Sequence, residues 1–271
     1  MGTLFNVLLY QPFYNFLIAL YTVLGDLGIA IILFTVLIKI ALWPLSKKSI
    51  IAQRRMQELK PRIDAIKSMH KGDTQTQNKE MMALYGREKF NPAASCLPML
   101  IQFPVLIAVY QVFTKGINDG GDAGMLYSFM RVPEVVNHVA FGFLDLSLKS
   151  LVTKGLNFSA WQVHASFALL IPFLSAAGQF FQTKMMMSAQ PKRDGANFSG
   201  GAENAMEAMS KQMLYTTPFM TLFFGLILPS GLSLYWFVGT LIMIWQQQIL
   251  FKKLDAQKKV TRSPQSEGAG K

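Results

Sequence analysis

The sequence predicts an all-α membrane protein, with five transmembrane helices around a hydrophilic groove and a cytoplasmic helical hairpin. Three observations carry this. The 271-residue chain is 51% hydrophobic and only 15% charged, against roughly 25% charge in water-soluble domains. Five apolar runs, Leu27–Leu45, Cys96–Phe113, Val163–Phe181, Met213–Leu228 and Leu232–Phe251, approach the roughly 20 residues that cross about 30 Å of hydrocarbon. Inside the first run stands a charge, Lys39, and an ionised side chain in a bilayer costs at least about 2.5–3.5 kcal/mol.

Charge sets the orientation. Residues 1–38 contain no Lys or Arg, whereas residues 46–92 contain eleven against five acids. Residues 115–161 are balanced at four of each, residues 184–212 carry four bases against three acids, and residues 252–271 carry six against two. Cytoplasmic loops are enriched in Lys and Arg, so the N-terminus is expected outside and the C-terminus in the cytoplasm. The expected organisation is an outer interfacial helix (1–26), span 1 (27–45), a cytoplasmic helical hairpin (46–92), span 2 (93–114), an outer loop (115–161), span 3 (162–183), a cytoplasmic loop (184–212), span 4 (213–228), span 5 (231–251) and a basic tail (252–271).

The first 38 residues lack the positive n-region of a secretory signal. Leu4–Leu24 is apolar but interrupted by Asn6, Gln11, Pro12, Asn15 and Thr22. Two readings fit it: a helix lying in the outer interface, or the start of a longer, tilted first span. In the hydrophilic segment, Met56, Leu59, Ile63, Ile66 and Met69 recur at spacings of three and four, which is one apolar stripe of a helix. Lys71-Gly72-Asp73-Thr74 reads as a turn, and Met81, Leu84 and Tyr85 as a second helix. Pro61 falls inside the first of these helices. The net charge of this hairpin suits RNA or anionic lipid; the alternative is a purely topogenic loop. Only Pro229-Ser230-Gly231 separates the last two runs, which predicts a tight hairpin, and the 16 residues of Met213–Leu228 give about 24 Å of helix. Ser263 to Lys271 reads as disordered, and Gly195 to Gly201 as a loose loop.

Polar residues accompany Lys39 within the runs. Thr35 lies one turn before it on the same face; Gln102, Gln179, Gln182, Ser233 and Tyr235 are the others, while Gln246, Gln247 and Gln248 fit an interfacial position. No Asp or Glu lies in any of the five runs, so Lys39 is expected to be solvated by water and neutral groups in an amphiphilic cavity. Snorkelling to the interface is the competing reading. The single cysteine, Cys96, excludes an internal disulfide and reads as packing. His70, His138 and His164 are scattered, no phosphate loop is present, and no metal, cofactor or enzymatic activity is expected. A half-motif, Asn91-Pro92-Ala93, does not make a water channel without a second copy. A small-solute or ion transporter built on Lys39 is the alternative function, but internal repeats and paired ionisable groups, usual in transporters, are not found.

Several stretches together resemble the YidC family of membrane protein insertases, which includes the mitochondrial and chloroplast insertases: Ile38-Lys39 with Trp43-Pro44-Leu45 and Lys47-Lys48, the run from Met56 to Ile63, NPAASCLPMLIQFPVLIAVYQV from Asn91, FFQTKM from Phe180, and PSGLSLYWFVGTLIMIWQQQI from Pro229. The likeness covers most of residues 10–253, in a minimal form without the large periplasmic domain. It implies a five-span groove open to cytoplasm and lipid and closed outward, in a bacterial inner (plasma) membrane. The groove's basic residue falls on Lys39, where bacterial members usually carry arginine. Arginine keeps its charge in proteins, whereas lysine titrates more readily when desolvated. The implied substrates are nascent membrane proteins. Their acidic outer segments would meet Lys39, with Thr35, Gln102, Gln179, Gln182, Ser233 and Tyr235 lining the groove. Their apolar helices would then leave into the lipid bilayer without nucleotide hydrolysis. Arg54, Arg55, Lys60, Arg62, Lys252 and Lys253 would receive the ribosome or signal-recognition components, with the Sec translocon a further implied partner. A chaperone role is equally compatible.

Overall fold

A computed structural model describes residues 3–91, 93–117, 123–130, 136–146, 163–188 and 201–262. Nine α-helices are present among them: α1 Thr3–Phe5, α2 Gln11–Leu24, α3 Leu27–Ala41, α4 Trp43–Met69, α5 Thr74–Arg87, α6 Ala93–Gln111, α7 Val163–Ser188, α8 Gly201–Ile227 and α9 Ser230–Arg262. A short antiparallel pair, β1 Val139–Ala140 and β2 Leu144–Asp145, follows α6. Each of the five apolar runs is largely helical, the first being divided between α3 and α4. By length and composition, Thr3–Leu24 and Ser230–Gln257 can cross a membrane; α3 with α4 makes a third candidate bent by 67°, and Leu214–Ile227 is a shorter apolar helix. The chain is a predominantly helical membrane protein.

α3 starts where its cap is strongest. The Asp26 carboxylate accepts the Ile29 N–H at 3.0 Å, satisfying one of the donors every helix N-terminus leaves open. The apolar positions of α3 then fall on one face: Leu27, Ala30, Ile31, Phe34 and Ile38 are buried. They form the main core with Tyr14, Leu17 and Ile18 of α2, Val105 and Val109 of α6, and Leu232 and Tyr235 of α9.

The first predicted span is cut short. Residues 43–45 belong to α4, not to the helix that carries Lys39, and the break falls at Leu42. Pro44 is the cause: it has no N–H to give to the preceding turn, and it is suited to the first turn of a new helix. The predicted loop 184–212 is also shorter than expected, because α8 begins at Gly201. The predicted tail is helical to Arg262 as a continuation of α9. The turn between α8 and α9 is as tight as predicted, but α8 packs chiefly against α7, and α7 is the helix that covers α9. The Gly195 to Gly201 reading lies largely, and the Ser263 to Lys271 reading entirely, outside the described residues, as does the side chain of Cys96.

The hairpin forms as its stripe predicts. Ala52, Leu59, Ile63 and Phe90 make a small core joined by Met56, Met81, Leu84 and Tyr85, while Met69 is exposed. Gly72, with φ +86°, makes the turn. Asp73 caps α5 by accepting from Thr76: the Thr76 hydroxyl, and then its backbone N–H, hold this carboxyl below the usual carboxylate range. A lowered folded value means the contribution is fully present above the unfolded pKa of about 3.9 and is lost as pH falls through the folded value. Protection of the Thr76 and Gln77 amides, relative to their intrinsic exchange rates, is therefore expected to fall in acid as Asp73 protonates, and an Asp73→Ala protein is expected to show low protection there at every pH.

The opposite end is tied together by contacts far apart in sequence. Asn15 donates to the Met125 carbonyl and accepts from the Tyr127 N–H, both at 2.8 Å. The Tyr21 hydroxyl accepts from the Asn137 N–H at 2.8 Å, and the second Asp26 oxygen from the Phe141 N–H at 2.6 Å. The Gly231 N–H reaches the Leu146 carbonyl at 3.2 Å. The β-hairpin is thus held onto the N-terminal ends of α3 and α9.

Candidate functional site

Lys39 points inward. It is 8% exposed and lies against α9 at Gly239: a methyl group built there would stand 3.3 Å from the lysine Cε, 3.7 Å from Nζ and 3.9 Å from Thr35 Cγ2. The absent side chain at Gly239 is what makes room for the lysine stem. The helix is broken at Leu42, between Lys39 and Lys47. Among the described residues no carboxylate comes within 4 Å of Lys39.

The polar residues expected around it are distributed along two seams. On the first, α3 faces α9: Thr35 is fully buried, and its hydroxyl donates to its own helix at the Ile31 carbonyl, 2.7 Å away. Tyr235, one turn before Gly239, accepts from the Gln102 amide of α6 at 3.3 Å. On the second, α7 faces α9. The Ser175 hydroxyl donates to the Ser233 carbonyl at 3.4 Å, and the Ser233 hydroxyl donates to Gly225 of α8 at 3.0 Å. Two turns along α9, Thr240 meets α7 at Gly178, where an added methyl would stand 3.3 Å from its Cγ2. Gln179 and Gln182 follow on α7, half-buried. No contact joins them directly to Lys39 among the described residues.

Thr35 and Ser233 donate their hydroxyl protons to backbone carbonyls, which leaves the lone pairs of each oxygen as acceptors.

The basic residues assigned to outside partners also divide. Arg54 is turned inward: its guanidinium lies 5.1 Å from the Phe251 ring centroid, 2.9 Å from Asp255 and 3.5 Å from Glu58. It ties α4 to the extension of α9. Arg62 pairs with Glu88 across the hairpin. Arg55, Lys252 and Lys253 are exposed, and Lys60 is half-buried. Sequence reasoning also missed Gly239, whose signal is a lone glycine in an apolar helix. Gln246 and Gln247, read from the sequence as interfacial, are buried against the rest of the chain.

A helical membrane protein with an unpaired lysine buried between two apolar helices, beside a seam of neutral polar groups, is the class these observations define. The family model described as 60Kd inner membrane protein matches residues 19–258, and the chain belongs to that family. The YidC resemblance read from the motifs is borne out by the relatives. A membrane protein insertase YidC of Fusobacterium nucleatum is 31% identical over 229 residues, covering 84% of this chain and 88% of that protein. One of Rickettsia conorii is 31% identical over 234 residues, covering 86% of this chain and 36% of that protein. One of Caulobacter vibrioides is 44% identical over 107 residues, covering 40% of this chain and 17% of that protein. The chain therefore spans most of the first relative and about a third or less of the other two.

Proposed function

We propose that this chain is a membrane protein insertase and chaperone of a bacterial inner membrane. It accepts hydrophilic segments of nascent membrane proteins in a positively charged groove and releases their apolar helices into the bilayer. The observation that carries the reading is the buried Lys39 with no carboxylate within 4 Å among the described residues. A buried charge without a counter-ion is costly, and an acidic substrate segment supplies that counter-ion. Family membership and the names of the relatives support the same reading.

In this proposal α3, α6, α7, α8 and α9 are the five spans, with α2 along the outer interface, the N-terminus outside and the C-terminus in the cytoplasm. The groove lies between α3, α6, α7 and α9 and is closed outward by the β-hairpin. The substrate's apolar helix slides out along α7 and α9, and burial of its apolar area drives the step. The hairpin and the tail receive the ribosome or signal-recognition components through Arg55, Lys60, Lys252 and Lys253, and the protein works alone or beside the Sec translocon. Arg54 and Arg62 brace that surface from within.

The test is reconstitution in liposomes with a single-span substrate bearing a short acidic outer tail. Lys39→Ala is expected to lower insertion about tenfold and Lys39→Arg to restore it, since one charge-assisted contact contributes roughly 1.5–3 kcal/mol. Equal insertion by all three proteins would remove Lys39 from the mechanism.

A further inference from the structure

Gln246 and Gln247 stand one turn before Leu250 and Phe251 on α9, where α9 meets the start of α4 through Ile50. Each is 2% exposed, and the side-chain oxygen of each is buried with no hydrogen-bond partner among the described residues. Their neighbour Gln248 is exposed. Buried amide oxygens are nearly always paired, because an unpaired one has given up water and gained nothing. Filling space does not explain them, since an apolar side chain of the same length would do so without that penalty.

Their position supplies the explanation. Ser233, Thr240 and Gln247 repeat every seven residues on one face of α9. Ser233 is bonded to α7 and α8, and the Thr240 methyl group lies against α7 at Gly178. Gln247 is the member whose side-chain acceptor is fully buried with no partner among the described residues. Gln246 lies seven residues beyond Gly239, about 10 Å along the axis. The pair therefore sits between Lys39 and the end of α9 that meets the basic hairpin.

We propose that Gln246 and Gln247 form a neutral substrate station, whose amide oxygens take backbone N–H groups of the hydrophilic segment before Lys39 takes its acidic side chains. The inference rests on the insertase reading and deepens it. An extended peptide presents an N–H at every residue whatever its sequence, so the station serves segments that carry no acid and gain nothing from Lys39. The contact of Ile50 with Leu250 and Phe251 is the part that separates to admit the segment, and the incoming N–H groups satisfy the two oxygens.

The experiment compares wild type with a Gln246→Met, Gln247→Met double variant in liposomes. Methionine keeps the unbranched shape and removes the amide. Two single-span substrates are used, identical except for a short outer tail that is either acidic or neutral and rich in Ser and Asn. The thermal midpoint of each protein is measured alongside. The double variant is expected to melt higher than wild type and to insert the neutral-tailed substrate about fivefold more slowly, the factor set by one ordinary hydrogen bond, with a smaller effect on the acidic tail. Lys39→Ala should give the opposite ranking of tails. A lowered midpoint would show that the amides have partners within the chain and would overturn the station. Unchanged insertion of the neutral tail, or an equal loss on both tails, would do the same while wild-type insertion still upheld the insertase reading. Failure of the wild type to insert either substrate would overturn both.

Discussion

Lys39→Glu is expected to reverse the substrate preference of the groove. Acid-tailed substrates should insert at least about tenfold more slowly than with wild type, and base-tailed substrates should insert faster. The argument is electrostatic. At 4–8 Å and an effective dielectric of about 20, a unit pair interacts by about 2–4 kcal/mol, and each 1.36 kcal/mol is a factor of ten. Nothing nearby neutralises the change, because α3, α6 and the apolar parts of α7 and α9 carry no other charged residue. Lys39→Met separates charge from shape: it keeps the stem beside Gly239 and carries no charge. Acid-tailed insertion should therefore rank wild type, Met, Glu, and base-tailed insertion the reverse, read as protease-protected substrate in proteoliposomes. Equal behaviour of the Met and Glu proteins would mean that the position acts by volume alone.

That such a prediction can be made from one residue reflects how much of the site was legible. Lys39 was visible as a charge in an apolar run, and its lack of an acidic partner followed from composition, because a residue type missing from every run cannot be brought in by folding. The helices were legible for a similar reason: long apolar runs and a stripe at spacings of three and four admit few other structures.

Boundaries and partners were harder to read. The break at Leu42 had a local signal in Pro44, but hydropathy continued through it and masked it. The Asp26 cap had a local signal too, an Asp directly before an apolar run. The first twelve residues of α8 lack an apolar run and were therefore taken for loop. Arg54 looked like a surface charge, and Arg62 like an unpaired one, because a sequence does not say that Phe251 and Asp255, or Glu88, will stand opposite them. Asn15 was the least accessible, since its two partners on Met125 and Tyr127 lie more than a hundred residues away. Hydroxyl direction was equally hidden. The hydroxyl protons of Thr35 and Ser233 are committed to backbone carbonyls, which a sequence does not reveal.

Gly28 combines these long-range effects into the largest expected stability change. It is the second residue of α3, and a Cβ there would stand 2.6 Å from the Ala140 Cβ and 2.7 Å and 2.9 Å from the Phe141 ring. The ring is at the end of an exposed side chain and can swing aside. Ala140 cannot: it is 0% exposed, its Cβ is fixed to the backbone, and β1 is paired to β2. Gly28→Val must therefore push the β-hairpin off the N-terminus of α3, breaking the Asp26–Phe141 hydrogen bond as well as overpacking the contact. Overpacking costs about 1–3 kcal/mol and a lost hydrogen bond about 1 kcal/mol more, so Gly28→Val is expected to lower stability by about 2–4 kcal/mol in denaturant titration followed by tryptophan fluorescence. Gly86→Ala, where nothing lies within 4 Å of the added methyl, should not destabilise. Ala140→Gly should recover part of the loss in a Gly28→Ala background, because it removes the one atom that has no room to move. If Gly28→Val unfolds at the wild-type midpoint, the β-hairpin is not seated on α3, and the outward closure proposed for the groove has no structural basis at that point.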